Sequence, residues 1–81
     1  MFKDKTLLIT GGTGSFGNVV LSGLIESDLK EIRIFSRDEK KQDDMRKKFD
    51  NPKIKFYLGD VRQKRSIEQA MRGVDYVFHA A

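Results

Sequence analysis

Residues 6–17 read Thr6-Leu7-Leu8-Ile9-Thr10-Gly11-Gly12-Thr13-Gly14-Ser15-Phe16-Gly17, and this stretch decides the fold. Leu7, Leu8 and Ile9 are apolar on successive residues, the pattern of a strand buried on both faces. The glycines end that strand. Beyond them Phe16, Val19, Val20, Leu24 and Ile25 recur at spacings of three and four, which predicts a helix from Ser15 to Ser27 with one broad buried face. Gly23 inside that helix costs about 1 kcal/mol against Ala. Close packing against a strand is its expected reason.

Working outward, strand-length apolar runs alternate with helix-length segments, each switch punctuated by Gly, Asp, Asn or Pro. A second strand is expected over Glu31–Phe35 and a highly charged second helix over Asp38–Phe49, with Met45 and Phe49 as a narrow apolar stripe. Asn51-Pro52 stops it, because Pro disfavours the helical region at the residue before it. Lys53–Leu58 reads as a third strand and Gln63–Met71 as a third helix, with Ser66 and Gln69 at capping-box spacing. Ile67, Ala70 and Met71 supply its inward face, and Gly73 suits the position just past its end. Val74–Ala81 is the fourth strand. Alternation of this kind predicts an α/β fold of the Rossmann type: a parallel sheet flanked by helices, in the order 3-2-1-4, incomplete at four strands and three helices.

Composition narrows the function classes. The chain has 81 residues, a single domain at most, and at this size only about 60% of the unfolded surface is buried on folding. It contains no Cys, which removes disulfides, thiolate metal sites and thiol nucleophiles. No metal ligand set is assigned. No apolar run approaches the roughly 18 residues of a membrane span, and the amino terminus shows no signal-peptide pattern, so a cytoplasmic protein is expected. Sixteen basic residues against twelve acidic ones give a net charge of +4, but the signs are interleaved: Arg37–Asp50 carries six basic and five acidic residues. That mixture is a solvated surface, and no nucleic-acid partner is expected.

The chemistry sits in the glycine loop. Gly11, Gly14 and Gly17 form G-x-x-G-x-x-G, and Gly12, Gly14 and Gly17 form G-x-G-x-x-G, directly after a buried strand and at the start of an amphipathic helix. In that context the motif points to a dinucleotide: a tight turn, backbone without Cβ atoms where the pyrophosphate approaches, and helix-start amides facing the phosphates. Thr13, Ser15 and Phe16 lie in the same loop, Ser15 supplying a hydroxyl donor and Phe16 a ring that contacts ligand. The spacing Gly12-x-x-x-x-Gly17 also fits a nucleotide-triphosphate loop, but Asn18 and Val19 stand where Lys and Ser or Thr are needed, which excludes it.

Which dinucleotide binds is read at the end of the second strand. An acidic residue there accepts the ribose 2′-hydroxyl of NAD, whereas a nearby Arg takes the 2′-phosphate of NADP. Here the position is Ser36, followed by Arg37, with Lys40 one helical turn on, so NADP is expected and NAD remains possible. Asp38 becomes the ribose acceptor only if the register shifts. After the third strand, Asp60 and Val61 are expected to meet the adenine. Ala80 and Ala81 then allow close approach of the inner ribose and nicotinamide half. His79 beside them reads as a packed strand-end residue rather than an acid or base.

These residues resemble the extended short-chain dehydrogenase/reductase family, through Thr10-Gly11-x-x-Gly14-x-x-Gly17, Gly59-Asp60-Val61-Arg62 and Val77-Phe78-His79-Ala80-Ala81. More narrowly, Leu8–Asn18, Ile32–Gln42 and Val74–Ala81 resemble its polysaccharide-biosynthesis branch: UDP-N-acetylglucosamine 4,6-dehydratases, including the 5-inverting kind, and the CapD-type enzymes called UDP-glucose 4-epimerases. The resemblance implies hydride removal from sugar C4 by a tightly held cofactor, assisted by a Tyr-x-x-x-Lys pair. That pair is absent, since the residues four beyond Tyr57 and Tyr76 are Val61 and Ala80, so no catalytic residue is assigned. The expectation is therefore the N-terminal cofactor-binding part of a longer enzyme, inactive alone, whose UDP-sugar site and homo-oligomeric assembly belong to the full-length protein. A non-catalytic dinucleotide-binding module is the alternative.

Overall fold

A computed structural model describes residues 2–80. Chain order is β1 (Thr6–Thr10), α1 (Ser15–Leu24), β2 (Glu31–Ser36), α2 (Glu39–Phe49), β3 (Ile54–Leu58), α3 (Lys64–Met71) and β4 (Tyr76–His79). All strands run parallel in the expected order β3-β2-β1-β4. Each crossover carries a helix, which is how parallel neighbours are joined.

Every residue of β1 is buried, as its unbroken apolar run requires. Leu7 and Ile9 point to one face of the sheet, where Leu21 of α1 and Met45 of α2 close over Ile32, Ile34 and Ile54. Leu8 and Phe35 point to the other, covered by Ala70 with Ile67 of α3 alongside. The result is three layers, with α1 and α2 on one side and α3 on the other. Each fully buried Leu or Ile contributes about 2 kcal/mol of transfer free energy. The second face is thinly covered, and β4 at its edge leaves Tyr76, Val77 and Phe78 exposed.

Several local expectations are corrected. Helix α1 ends at Leu24 and not at Ser27: the backbone N–H and hydroxyl of Ser27 both turn back to the Leu24 carbonyl, closing a turn in place of another helical bond. Its buried line is Gly17 and Leu21, while Phe16 and Val19 of the expected face are exposed. Gly23 faces open space, so no strand packs against it. Helix α3 begins beyond Gln63, which places Ser66 inside the helix; its hydroxyl meets the Gln63 side chain and the capping box does not form. Met71 is exposed rather than inward. Strand β4 starts at Tyr76 and not at Val74, with Asp75 tied sideways to β1: its carboxylate accepts from Thr6 N–H at 2.9 Å and its own N–H donates to Thr6 O; the strand ends at His79. Gly73, as expected just past α3, has φ +77°.

Candidate functional site

The carboxyl ends of all four strands open onto one cleft of about 870 Å³. Thr10, Gly11 and Thr13 line it from β1, Ser36 and Arg37 from β2, Gly59 to Arg62 from β3, and His79 from β4. This is the end of an open parallel sheet where ligands bind, because the loops there diverge around the point at which strand order reverses. A shallower depression of about 420 Å³ shares Thr13 and Lys41 with the cleft and adds Gly14, Ser15 and Asn18.

The glycine loop is shaped by missing side chains. Gly11 has φ 65°, and its N–H donates to Phe35 O at 2.8 Å, which ties the loop to the end of β2. A Cβ on Gly17 would lie 2.1 Å from Gly12 O, so helix and loop touch backbone to backbone. Gly14 differs: a Cβ there would meet only Gly11 O at 3.8 Å, so the protein's own packing leaves room for a side chain. Gly14 is also the N-cap of α1 and brings no capping group, and the first turn holds no acidic residue. The amides of Ser15, Phe16 and Gly17 thus have no intrahelical acceptor. Bare backbone, unspent donors and the positive end of a helix dipole suit a phosphate. Asn18 completes the loop, donating from Nδ2 to Gly14 O at 2.9 Å and Thr13 O at 3.3 Å.

The opposite wall is charged. Asp60 accepts from Arg62 through Nη2 at 2.7 Å, Nε at 3.1 Å and the backbone N–H at 2.9 Å, and Arg37 Nη1 stands 3.7 Å away. Hydrogen bonds from the Arg62 side chain, then its backbone, hold the Asp60 carboxyl down at about 2, and the same contact raises Arg62. Asp38 caps α2, its carboxylate accepting from Lys41 N–H at 2.9 Å. Ser36, the last residue of β2, is buried, and Gln42 Nε2 donates to its hydroxyl at 3.0 Å and to Tyr57 O at 2.9 Å.

The cleft therefore brings together Gly11, Thr13, Ser36, Arg37, Asp60 and Val61 of the residues singled out in the sequence. Gly14 and Ser15 lie in the adjoining depression, and Gly17 supports it from beneath. Phe16 stands apart on the surface, its ring 5.7 Å from that of Phe78. Lys40 is turned away into an ion pair with Asp44 at 3.3 Å, and Lys41 lines the cleft in its place. Ala80 packs against the core, its N–H donating to Thr10 O, and Ala81 lies outside the described residues. His79 lines the cleft with Nδ1 hydrogen-bonded to Thr10 Oγ1. Among the described residues no cluster of His, Asp and Glu could hold a metal ion, and no helix is long and apolar enough to cross a membrane. Sequence reasoning missed Asn18 and Gln42 as site-shaping residues. For Gln42 the available signal was its place three residues before Met45, on the apolar side of α2.

Over residues 7–81 the sequence matches the family described as "Polysaccharide biosynthesis protein". The chain belongs to the polysaccharide biosynthesis protein family. The chain is similar to proteins named UDP-glucose 4-epimerase from Rickettsia canadensis and Rickettsia akari, each 72% identical across all of this chain. The match covers 25% of each relative, so the chain spans about a quarter of the length of the curated relatives it matches. A crystal structure of Pen from Bacillus thuringiensis superposes on the whole chain with a TM-score of 0.94 at 41% identity, covering 26% of Pen. A short-chain dehydrogenase/reductase from Brucella melitensis, described as a glucose/ribitol dehydrogenase, matches 94% of this chain and 35% of its own at 20% identity and a TM-score of 0.71. That last likeness shows the shared fold.

Proposed function

We propose that this chain supplies the dinucleotide-binding part of a nucleotide-sugar-modifying enzyme of polysaccharide biosynthesis, and that its dinucleotide is NADP. The observation that carries the reading is one juxtaposition: Ser36 with Arg37 at the end of β2 in the cleft, and the uncapped start of α1 in the depression that adjoins it through Thr13 and Lys41. In this reading the amides of Ser15 to Gly17 bind the pyrophosphate. Ser36 and Arg37 take the 2′-phosphate, for which a carboxylate would be repulsive. The Arg62 clamp on Asp60 holds the adenine-side wall, against which Val61 offers an exposed apolar surface. The dinucleotide supplies a reversible hydride acceptor when bound.

The names of the Rickettsia relatives support a UDP-sugar as substrate and 4-epimerisation as the reaction. A second reading is a UDP-N-acetylglucosamine 4,6-dehydratase, because the branch that Ser36–Gln42 resembles holds both kinds of enzyme. Both reactions begin by oxidation at sugar C4 and part afterwards in acid and base groups that this sequence does not contain. Calorimetric titration of NADP and NAD tests the cofactor. NADP is expected to bind at least about tenfold more tightly, and Arg37→Ala to weaken NADP about tenfold while leaving NAD within about twofold. Equal affinities, or an Arg37→Ala variant with unchanged NADP binding, would reject the reading.

A further inference from the structure

Gln42 lies in the second turn of α2, away from the cleft, and is 4% exposed. Its amide reaches Tyr57 O of β3 at 2.9 Å, Ser36 Oγ at 3.0 Å and Ser36 O at 3.4 Å, all from Nε2. Two of those partners are backbone carbonyls, which only accept, so the donor end of the amide must face them. One N–H is spent on Tyr57 O. The other is directed at Ser36, and the hydroxyl oxygen of Ser36 is therefore an acceptor towards Gln42.

A hydroxyl carries one proton and two lone pairs. Ser36 cannot aim its proton at an –NH₂ group, and among the described residues its hydroxyl has no acceptor. Ser36 also lines the cleft, whereas Gln42 does not. We infer that Gln42 is a specificity-determining positioning residue: it holds the Ser36 hydroxyl as a donor facing the cleft, which favours a cofactor whose adenosine bears an acceptor-only 2′-phosphate. The inference rests on the placement of the 2′-phosphate at Ser36 and Arg37 proposed above. It adds why a serine, which by itself serves a 2′-hydroxyl as well as a 2′-phosphate, is biased here. An acidic residue at position 42 would accept the Ser36 proton and reverse the bias.

The test is a double-mutant cycle on the protein, read as the ratio of NADP to NAD affinity. A purely structural loss weakens both cofactors alike and leaves the ratio where it was. Ser36→Ala is expected to lower the ratio about tenfold through NADP alone, the scale of one hydrogen bond to a charged group. Gln42→Met is expected to lower it about fivefold, and to have no further effect on the ratio in the Ser36→Ala background. Gln42→Glu, of the same shape, keeps the inference open to test if Gln42→Met does not fold; it is expected to lower the ratio more than Ser36→Ala does. An unchanged ratio in Gln42→Met or Gln42→Glu, or a Gln42 effect that persists without the Ser36 hydroxyl, overturns the inference while the NADP preference of the unaltered protein stands. Equal NADP and NAD affinity in the unaltered protein removes the 2′-phosphate reading itself, and this inference with it.

Discussion

On the glycine side of the cleft, shape comes from atoms that are absent, whereas on the charged side it comes from side chains that hold one another. Gly17 lets α1 rest on Gly12 at backbone contact distance, and the helix-start amides stay unspent because Gly14 caps with nothing. Across the cleft, Arg62 clamps Asp60, Asp38 caps α2 and Gln42 ties Ser36 to β3. The surface made by absence is closed to a Cβ at Gly17, open to one at Gly14, and contains no titrating side chain between them. A surface made by mutual hydrogen bonds accepts substitution without collapse, and its geometry follows the protonation of its members. In the proposed reading, phosphate is therefore met by backbone and the choice of dinucleotide is made by side chains.

The largest expected effect separates two glycines three residues apart. Gly17→Ala places a Cβ 2.1 Å from Gly12 O, where only backbone movement can relieve it. Denaturant unfolding should show a loss of about 3 kcal/mol. Gly14→Ala meets nothing closer than 3.8 Å and keeps an ordinary φ of −78°, so stability should change by less than about 0.5 kcal/mol. Dinucleotide affinity should nevertheless fall about tenfold, because the methyl occupies the ligand's approach. Unaltered binding in a stable Gly14→Ala variant would show that the bare backbone there serves no phosphate.

A smaller effect comes from Gly23, further along α1. Gly23 has open space where its Cβ would go, so Gly23→Ala should stabilise the protein by about 1 kcal/mol and leave binding untouched. Destabilisation instead would reveal a contact on that surface. The smallest change belongs to the charged wall. The Asp60 carboxyl is held below the ordinary 3.8, at about 2, so its contact with Arg62 stabilises the folded state above pH 3.8 and is lost as pH falls through about 2. Melting of Asp60→Asn against the unaltered protein should show a slight loss near neutral pH that disappears towards pH 2. A difference that grows on acidification would contradict the clamp.

The parts legible in the sequence are those governed by neighbours along the chain. Leu7, Leu8 and Ile9 in a row require burial on both faces, and the glycines that follow suit a tight turn, so strand, loop and helix start follow from local pattern, and strand order from the fold that pattern implies. Where reading failed, the deciding atom lay elsewhere. Leu24 and Ile25 continue the helical rhythm, yet the hydroxyl of Ser27 ends the helix. Phe16 and Val19 look inward by spacing, but α1 turns its Gly17 and Leu21 line to the sheet because only glycine lets it approach Gly12. Lys40 and Lys41 are indistinguishable as letters, and the rotation of α2, set by burying Gln42 and Met45, sends one to Asp44 and the other to the cleft.

By itself, then, the sequence determined a parallel sheet with a phosphate-suited loop, because hydrophobic period and backbone permissiveness are properties of consecutive residues. Tertiary structure alone decided how the charged wall is wired. The partners of Ser36, Gln42 and Asp60 are carbonyls, guanidinium groups and hydroxyls brought from separate elements. Hydrogen-bond direction, which sets whether a hydroxyl gives or takes a proton, exists only once those elements have packed.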